Sequence, residues 1–303
     1  MQNYNDFGDF LKKHFSGKVQ KISINAGLTC PNRDGSKGIG GCTYCNNNTF
    51  NPAYCKPTKS VAEQLQEGKA FFARKYPTMK YLAYFQAYTN TYGEIEHLKE
   101  LYEEALAVDD VVGIIIGTRP DCIPNELLNY LAQLAQNRFV FIEYGAETAN
   151  NTTLATINRG HTWQDTADAV HRTTAHGLEC GLHLILGLPG EKEDDILNTI
   201  KEASTLPITT LKQHQLQLIR GTKLAAQVQS GELSIIKFTP QAYIELCGEI
   251  IKHTRQDIYI ARFVSQSPAD LLISPKWGLK NNEFTNLLNN YLKATRTTQG
   301  SEY

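Results

Sequence analysis

Val19-Gln20-Lys21-Ile22-Ser23-Ile24-Asn25 leads into Leu28-Thr29-Cys30-Pro31-Asn32-Arg33-Asp34-Gly35 and then Gly40-Gly41-Cys42-Thr43-Tyr44-Cys45-Asn46. The first stretch alternates like a strand. The other two belong to a glycine-rich loop with three cysteines in the spacing C-x11-C-x2-C. Three thiolates in one loop can hold three irons of a 4Fe–4S cluster and leave the fourth iron without a protein ligand. The same thiolates could instead bind zinc, with Cys55 or a histidine as fourth ligand. Zinc loops usually come as two short pairs in a small module, whereas this loop opens a long α/β chain. Disulfides need an oxidising compartment, and the sequence shows neither a secretory signal nor a dense cysteine framework.

Downstream of the loop, strand-like and helix-like segments alternate. Tyr81–Phe85, Val111–Gly117, Phe139–Ile142, Leu182–Gly187 and Leu211–Ile219 are apolar runs of the kind found in parallel strands covered on both faces. With Val19–Asn25 they make six strands. Helix signals lie between them. Ser60 and Glu63 form a capping box, Pro124 suits a first helical turn, and Thr162 caps a segment that ends at Gly177. Asn150 to Gly160 inserts an extra polar loop or short helix. Repeated βα units give a parallel sheet with right-handed crossovers. Periodicity alone does not separate an open doubly wound sheet from a partial barrel.

A chain of 303 residues suffices for one large α/β domain and a small appendage. No apolar run reaches the length of a membrane span, and the N-terminus lacks a basic segment followed by an apolar one. The expected location is therefore cytoplasmic. The net charge of −1 gives no sign of a nucleic-acid-binding surface.

The run "GLTCPNRDGSKGIGGCTYCNN", with Tyr44 between the last two cysteines, resembles the cluster loop of the radical S-adenosylmethionine (SAM) enzymes, and within them the YhcC-like family. The resemblance spans about Tyr4 to Leu292. It implies a partial (β/α)6 TIM-type barrel with a small α+β C-terminal extension. The corresponding division is an N-terminal segment 1–18, a core 19–231 and an extension 232–303, whose residues after Ala294 are polar and expected to fray. The implied cofactors are a 4Fe–4S cluster on Cys30, Cys42 and Cys45 and SAM at its open iron. The implied chemistry is reductive cleavage of SAM to a 5′-deoxyadenosyl radical, which takes hydrogen from a substrate that could be RNA or a small molecule. An electron donor such as flavodoxin or ferredoxin is implied as partner. The rival from another class is a zinc-binding interaction protein using the same loop.

Later motifs occur in the order the resemblance predicts. "QAYTNT" departs from the usual glycine-rich turn after the second strand, so Thr89 and the backbone near Tyr88 become the candidates for the cofactor's amine. "TRPD" (Thr118 to Asp121) resembles the same place in the catalytic subunit of Elongator, with Thr118 at the strand end and Arg119 able to pair with a carboxylate. "EYGAE" and "NRGH" resemble a section of the coproporphyrinogen-oxidase and Elongator branches, which implies Glu147 for the ribose hydroxyls and Arg159 for the SAM carboxylate. "GLPGE" after the fifth strand implies Ile185 and Leu186 near the adenine. His183 is either a proton carrier or a hydrogen-bonded core residue. Arg220 is a substrate-side candidate. Pro275-Lys276-Trp277 either stacks on a flat substrate or anchors the extension.

Overall fold

The continuous β-branched runs become the strands of one parallel sheet. The computed structural model describes residues 3–73 and 78–303. It begins with helix α1 (Phe7–His14), β1 (Val19–Ile24), α2 (Val61–Ala73), β2 (Lys80–Phe85), α3 (Ile95–Leu106) and β3 (Val111–Thr118). It continues with α4 (Asn125–Leu134), β4 (Phe139–Glu147), α5 (Asn151–Thr156), α6 (Trp163–Ala175), β5 (Glu179–Leu186) and α7 (Glu193–Thr205). The last part holds β6 (Thr210–Gln215), β7 (Leu218–Ile219), α8 (Lys223–Gln229), α9 (Pro240–His253), β8 (Tyr259–Arg262), β9 (Leu272–Ser274) and α10 (Asn281–Thr295).

The main sheet has the order β1-β2-β3-β4-β5-β6-β8, with every neighbouring pair parallel. It curls into a half-barrel, the expected partial TIM-type architecture. The strand expected over Leu211–Ile219 splits in two: β6 stays in the main sheet, and β7 pairs antiparallel with β9 in a small second sheet. β8, from the C-terminal part, pairs with β6 and becomes the seventh strand of the barrel.

Alternation along each strand separates two faces. Ile114, Ile116, Ile142, Tyr144, Leu182 and Leu184 are buried against the helix layer. The opposite residues face inward. At the lower end Leu82, Ile115, Phe141 and Tyr259 close around Phe10 of α1, which is 1% exposed. The N-terminal helix thus plugs the bottom of the barrel, a role that sequence patterning did not reveal. Asp6 caps α1 by accepting from the Asp9 amide.

The expected caps form. Ser60 Oγ accepts from the Glu63 amide at 3.1 Å while Glu63 reciprocates at 2.7 Å. Thr162 and Asp165 make a second box, and Gly177 adopts φ +74° just beyond α6. The expectation of a frayed tail after Ala294 is corrected. Thr297 and Gln299 are buried, and Gln299 Nε2 donates to Arg255 O and Ile258 O, each at 2.7 Å. Asn3 Nδ2 donates to Thr297 O at 2.7 Å, so the two ends of the chain clasp each other. Polar composition suggested fraying, but these polar groups satisfy carbonyls where the chain enters β8.

Candidate active site

Loops at the C-terminal ends of the strands meet over a cavity of about 220 Å³. Cys30, Cys42 and Cys45 line it together with Tyr44, Tyr88, Thr89, Thr118, Glu147, Arg159 and Ile185. Leu186 does not. Successive strand residues face opposite sides, so Ile185 turns inward while Leu186 is buried in the core between sheet and helices.

Backbone and side-chain contacts hold the cysteine loop on the segment at the end of α5. Thr43 N donates to Ile157 O at 3.0 Å, and Asn158 Nδ2 donates to Gly41 O at 2.9 Å. Asn32 Nδ2 bonds to Asn158 O and lies 3.6 Å from Cys42 Sγ. Arg119 braces the same segment. Its Nη1 donates to Arg159 O at 2.7 Å, and its fork grips both oxygens of Asp121 at 2.9 Å. The carboxylate expected for Arg119 is therefore supplied by the chain itself two residues on. Arg119 and Lys37 hold Asp121 well below the usual carboxylate range although burial works against them.

Arg159 crosses from this segment into the cavity. Nη2 donates to Gly145 O at 2.6 Å and faces Glu147 Oε1 at 3.3 Å, while Nη1 reaches Cys42 Sγ at 3.5 Å. Gly145 is required here, because a Cβ would stand 2.6 Å from Arg159 Nη2. The β4–β5 register shifts between Gly145 and Glu147, and Glu147 has φ +67°, so a local bulge re-aims its carboxylate. Tyr88 (φ +64°) and Asn158 (φ +53°) share this left-handed conformation, which places three of the five non-glycine residues with positive φ among the described residues around one site. Burial opposes ionisation of Glu147, yet Arg159 and His183 hold its pKa down at about 2. Burial pushes the Cys45 thiol up and Cys42 adds to this, while Arg33 and Arg159 pull the other way.

Several polar atoms here are buried without a hydrogen-bond partner: Glu147 Oε2, Arg159 Nε, Thr89 Oγ1 and His183 Nε2. His183 Nδ1 lies 3.4 Å from Glu147 Oε2, and its ring packs 5.0 Å from that of His214. His183 is thus a cavity residue rather than a satisfied core histidine. A guanidinium nitrogen left open beside a buried carboxylate suits a ligand that carries hydroxyls and a carboxylate. The cysteine thiols suit a multinuclear centre better than one metal ion. Among the described residues the only His, Cys, Asp or Glu trio with ligand atoms all within 4.8 Å is Glu249, His253 and Glu302. A tetrahedral zinc would bring its sulfurs to about 3.8 Å from one another.

Two of the other candidates lie elsewhere. Arg220 is exposed and donates to Asp270 O at 3.2 Å, tying β7 to the loop before β9. Trp277 packs against Tyr243 and Phe284 and donates to Phe238 O at 3.0 Å, so it anchors the C-terminal part, with one side bordering a neighbouring cavity. Sequence reading missed the polar residues lower in the barrel: Tyr84, Glu143, Lys212, His214 and Arg262 all line the cavity. The signal was available as charged residues at alternate strand positions, Glu143 and Glu147 in β4 and Lys212 and His214 in β6.

A parallel half-barrel with three loop cysteines after its first strand and a polar cavity at the strand ends defines the radical SAM class. The superfamily model described as "Radical SAM superfamily" matches residues 27–203, and a "Radical_SAM C-terminal domain" model matches 208–294. The chain belongs to the radical SAM superfamily, whose cofactors are a 4Fe–4S cluster and SAM. It is similar to YtqA of Bacillus subtilis, 33% identical over 99% of this chain and 92% of that one. It is also similar to YhcC of Escherichia coli, 35% identical over 90% of this chain and 87% of that one. The solved structure of Methanocaldococcus infernus Elp3 with an N-terminal deletion shares the fold at TM-score 0.70 and 18% identity, covering 93% of this chain. This chain spans 64% of that structure's length. No helix among the described residues is long and apolar enough to cross a membrane.

Proposed function

We propose that Cys30, Cys42 and Cys45 hold the 4Fe–4S cluster and that the residues beside them form the seat of SAM. The observation that carries this is the coincidence, in one cavity, of three thiols with the Glu147 carboxylate and with Arg159 Nε and Thr89 Oγ1, both buried without a hydrogen-bond partner. Bound there and reduced, the cluster would supply the one electron for reductive cleavage of SAM, and with it the radical chemistry that acts on a substrate C–H bond. The chain's own residues bind and orient. Glu147 accepts from the ribose hydroxyls, and Arg159 takes the methionine carboxylate. Ile185 and Tyr44 give apolar surface to the adenosyl group, while Thr89, Thr118 and the backbone at Tyr88 receive the amine end. Arg33, whose guanidinium stands 5.5 Å from the Tyr88 ring centroid, closes that side against water.

The substrate's reacting part is small enough for a cavity of about 220 Å³. A net charge of −1 offers a long RNA no electrostatic footprint, which favours a small molecule or the tip of a larger one. A one-electron donor such as flavodoxin or ferredoxin would reduce the cluster through the partly exposed face at Cys30 and Cys45. The test is 5′-deoxyadenosine formation from SAM with dithionite under anaerobic conditions. Wild type should form it without added substrate, and Cys45→Ala should not. Product from Cys45→Ala at the wild-type rate would refute the assignment.

A further inference from the structure

Below the cysteine loop the barrel interior is charged. β2, β4, β6 and β8 turn Tyr84, Glu143, Lys212 and Arg262 toward it, and all four border the cavity. Three of them satisfy one another. Lys212 Nζ donates to Glu143 Oε1 at 2.5 Å and to Tyr84 Oη at 2.8 Å, and Tyr84 Oη donates to Glu143 Oε1 at 2.6 Å. One carboxylate and one ammonium make that trio neutral.

Arg262 stands opposite Lys212 in the β6–β8 ladder and has no share in it. Four arginines line the cavity. Arg119 pairs with Asp121 and Arg159 with Glu147, while Arg33 lies over the Tyr88 ring at 5.5 Å. The Arg262 guanidinium has no hydrogen bond or ion pair among the described residues, and its Nε is shut off from solvent without a partner. Lys21 adds a second basic side chain to this layer, 3.7 Å over the Phe7 ring and 5.4 Å from the Tyr84 ring centroid, with its pKa lowered to about 7 chiefly by burial. Glu143 faces all three basic side chains, Lys21, Lys212 and Arg262. Burial presses the Arg262 pKa down, but a guanidinium remains protonated in a protein. Burial lowers the pKa of the flanking His183 and His214, and an imidazole supplies no negative counter-charge. Arg262 is partly exposed and shares Glu143 with Lys21 and Lys212, so this layer is short of negative charge, and a ligand anion can supply it.

We propose that Arg262 is the anchor for an oxyanion of the substrate, a carboxylate or a phosphate, seated low in the barrel with Lys212 beside it and the rest of the molecule rising toward the cysteine loop. This deepens, and rests on, the cluster-and-SAM reading above. Gln217, Ser265 and Ser267 offer neutral polar contacts. They border both this cavity and a second one of about 500 Å³ lined by Leu272, Pro275 and Trp277, where a longer substrate can extend.

The experiment uses full-length protein, reconstituted and saturated with SAM so that Arg159 is occupied. Inorganic phosphate and, separately, acetate are titrated at constant ionic strength by calorimetry. Saturable binding of phosphate assigns a phosphate-bearing substrate, and saturable binding of acetate assigns a carboxylate. Arg262→Gln should weaken the bound anion roughly tenfold or more. Arg262→Met without anion should melt above wild type, because it removes an unpaired charge. Iron content and SAM affinity should be unchanged in both variants, and their loss in wild type would count against the cluster-and-SAM reading instead. The anchor is overturned if neither anion binds wild type, if Arg262→Gln binds as well as wild type, or if both variants melt lower or fail to fold.

Discussion

Replacing Arg159 by lysine separates cofactor binding from folding. Three contacts already use its Nη atoms: Gly145 O at 2.6 Å, Glu147 Oε1 at 3.3 Å and Cys42 Sγ at 3.5 Å. Nε is left over, buried and unpartnered. Alanine would strip the charge from beside Glu147, which is 5% exposed. Breaking a buried pair in this way costs about 3–5 kcal/mol, enough for lost stability to mask lost binding. Lysine keeps one positive charge facing Glu147 but lacks the planar fork. A charge-assisted hydrogen bond to a ligand carboxylate contributes about 1.5–3 kcal/mol, so Arg159→Lys should weaken SAM roughly 10- to 150-fold. The assay is equilibrium titration of SAM against anaerobically reconstituted protein, with iron content and thermal melting measured on the same samples. Unchanged SAM affinity in a folded, iron-loaded variant would refute the reasoning and leave Arg159 as a strut between the cysteine loop and β4.

Burial sets two further outcomes. Glu191 bonds to Thr148 Oγ1 at 2.6 Å, and burial raises its pKa from 4.5 to about 7, so stability is lost as pH rises from the unfolded value through the folded one. Between pH 5 and 8 the urea-unfolding stability of Glu191→Gln should gain about 2 kcal/mol relative to wild type, and parallel pH profiles would contradict this. Cys55 is 4% exposed, its thiol is pushed up to about 12 by burial, and it stays outside the cavity, beside Asn51. Cys55→Ala should therefore retain full iron on reconstitution, and a loss as severe as that of Cys45→Ala would make it a ligand.

What the sequence disclosed was local. The cysteine spacing, the β-branched runs and the caps at Ser60 and Thr162 each depend on a few neighbouring residues. Glu147 and Arg159 were legible because their motifs are short, and folding brings them within 3.3 Å. Pairings over long separations were not legible. β8 meets β6 through Lys212 and Arg262, fifty positions apart, and only closure of the barrel brings them together. Phe10 gave no sign of plugging the bottom, because its partners come from β2, β3, β4 and β8. The "GLPGE" resemblance implies Leu186 beside Ile185 at the adenine, whereas strand alternation sends the two to opposite faces. The tail after Ala294 appeared free because its polar groups have partners only in the folded chain.

The most direct measurement is the metal content of anaerobically reconstituted protein, together with the electron paramagnetic resonance spectrum of the reduced sample with and without SAM. One 4Fe–4S cluster per chain is expected, lost in Cys30→Ala, Cys42→Ala and Cys45→Ala and retained in Cys122→Ala and Cys247→Ala. The spectrum should change when SAM reaches the iron without a protein ligand. A stable, colourless zinc protein with all three cysteines intact, or a cluster whose spectrum is indifferent to SAM, would contradict the cluster-and-SAM assignment.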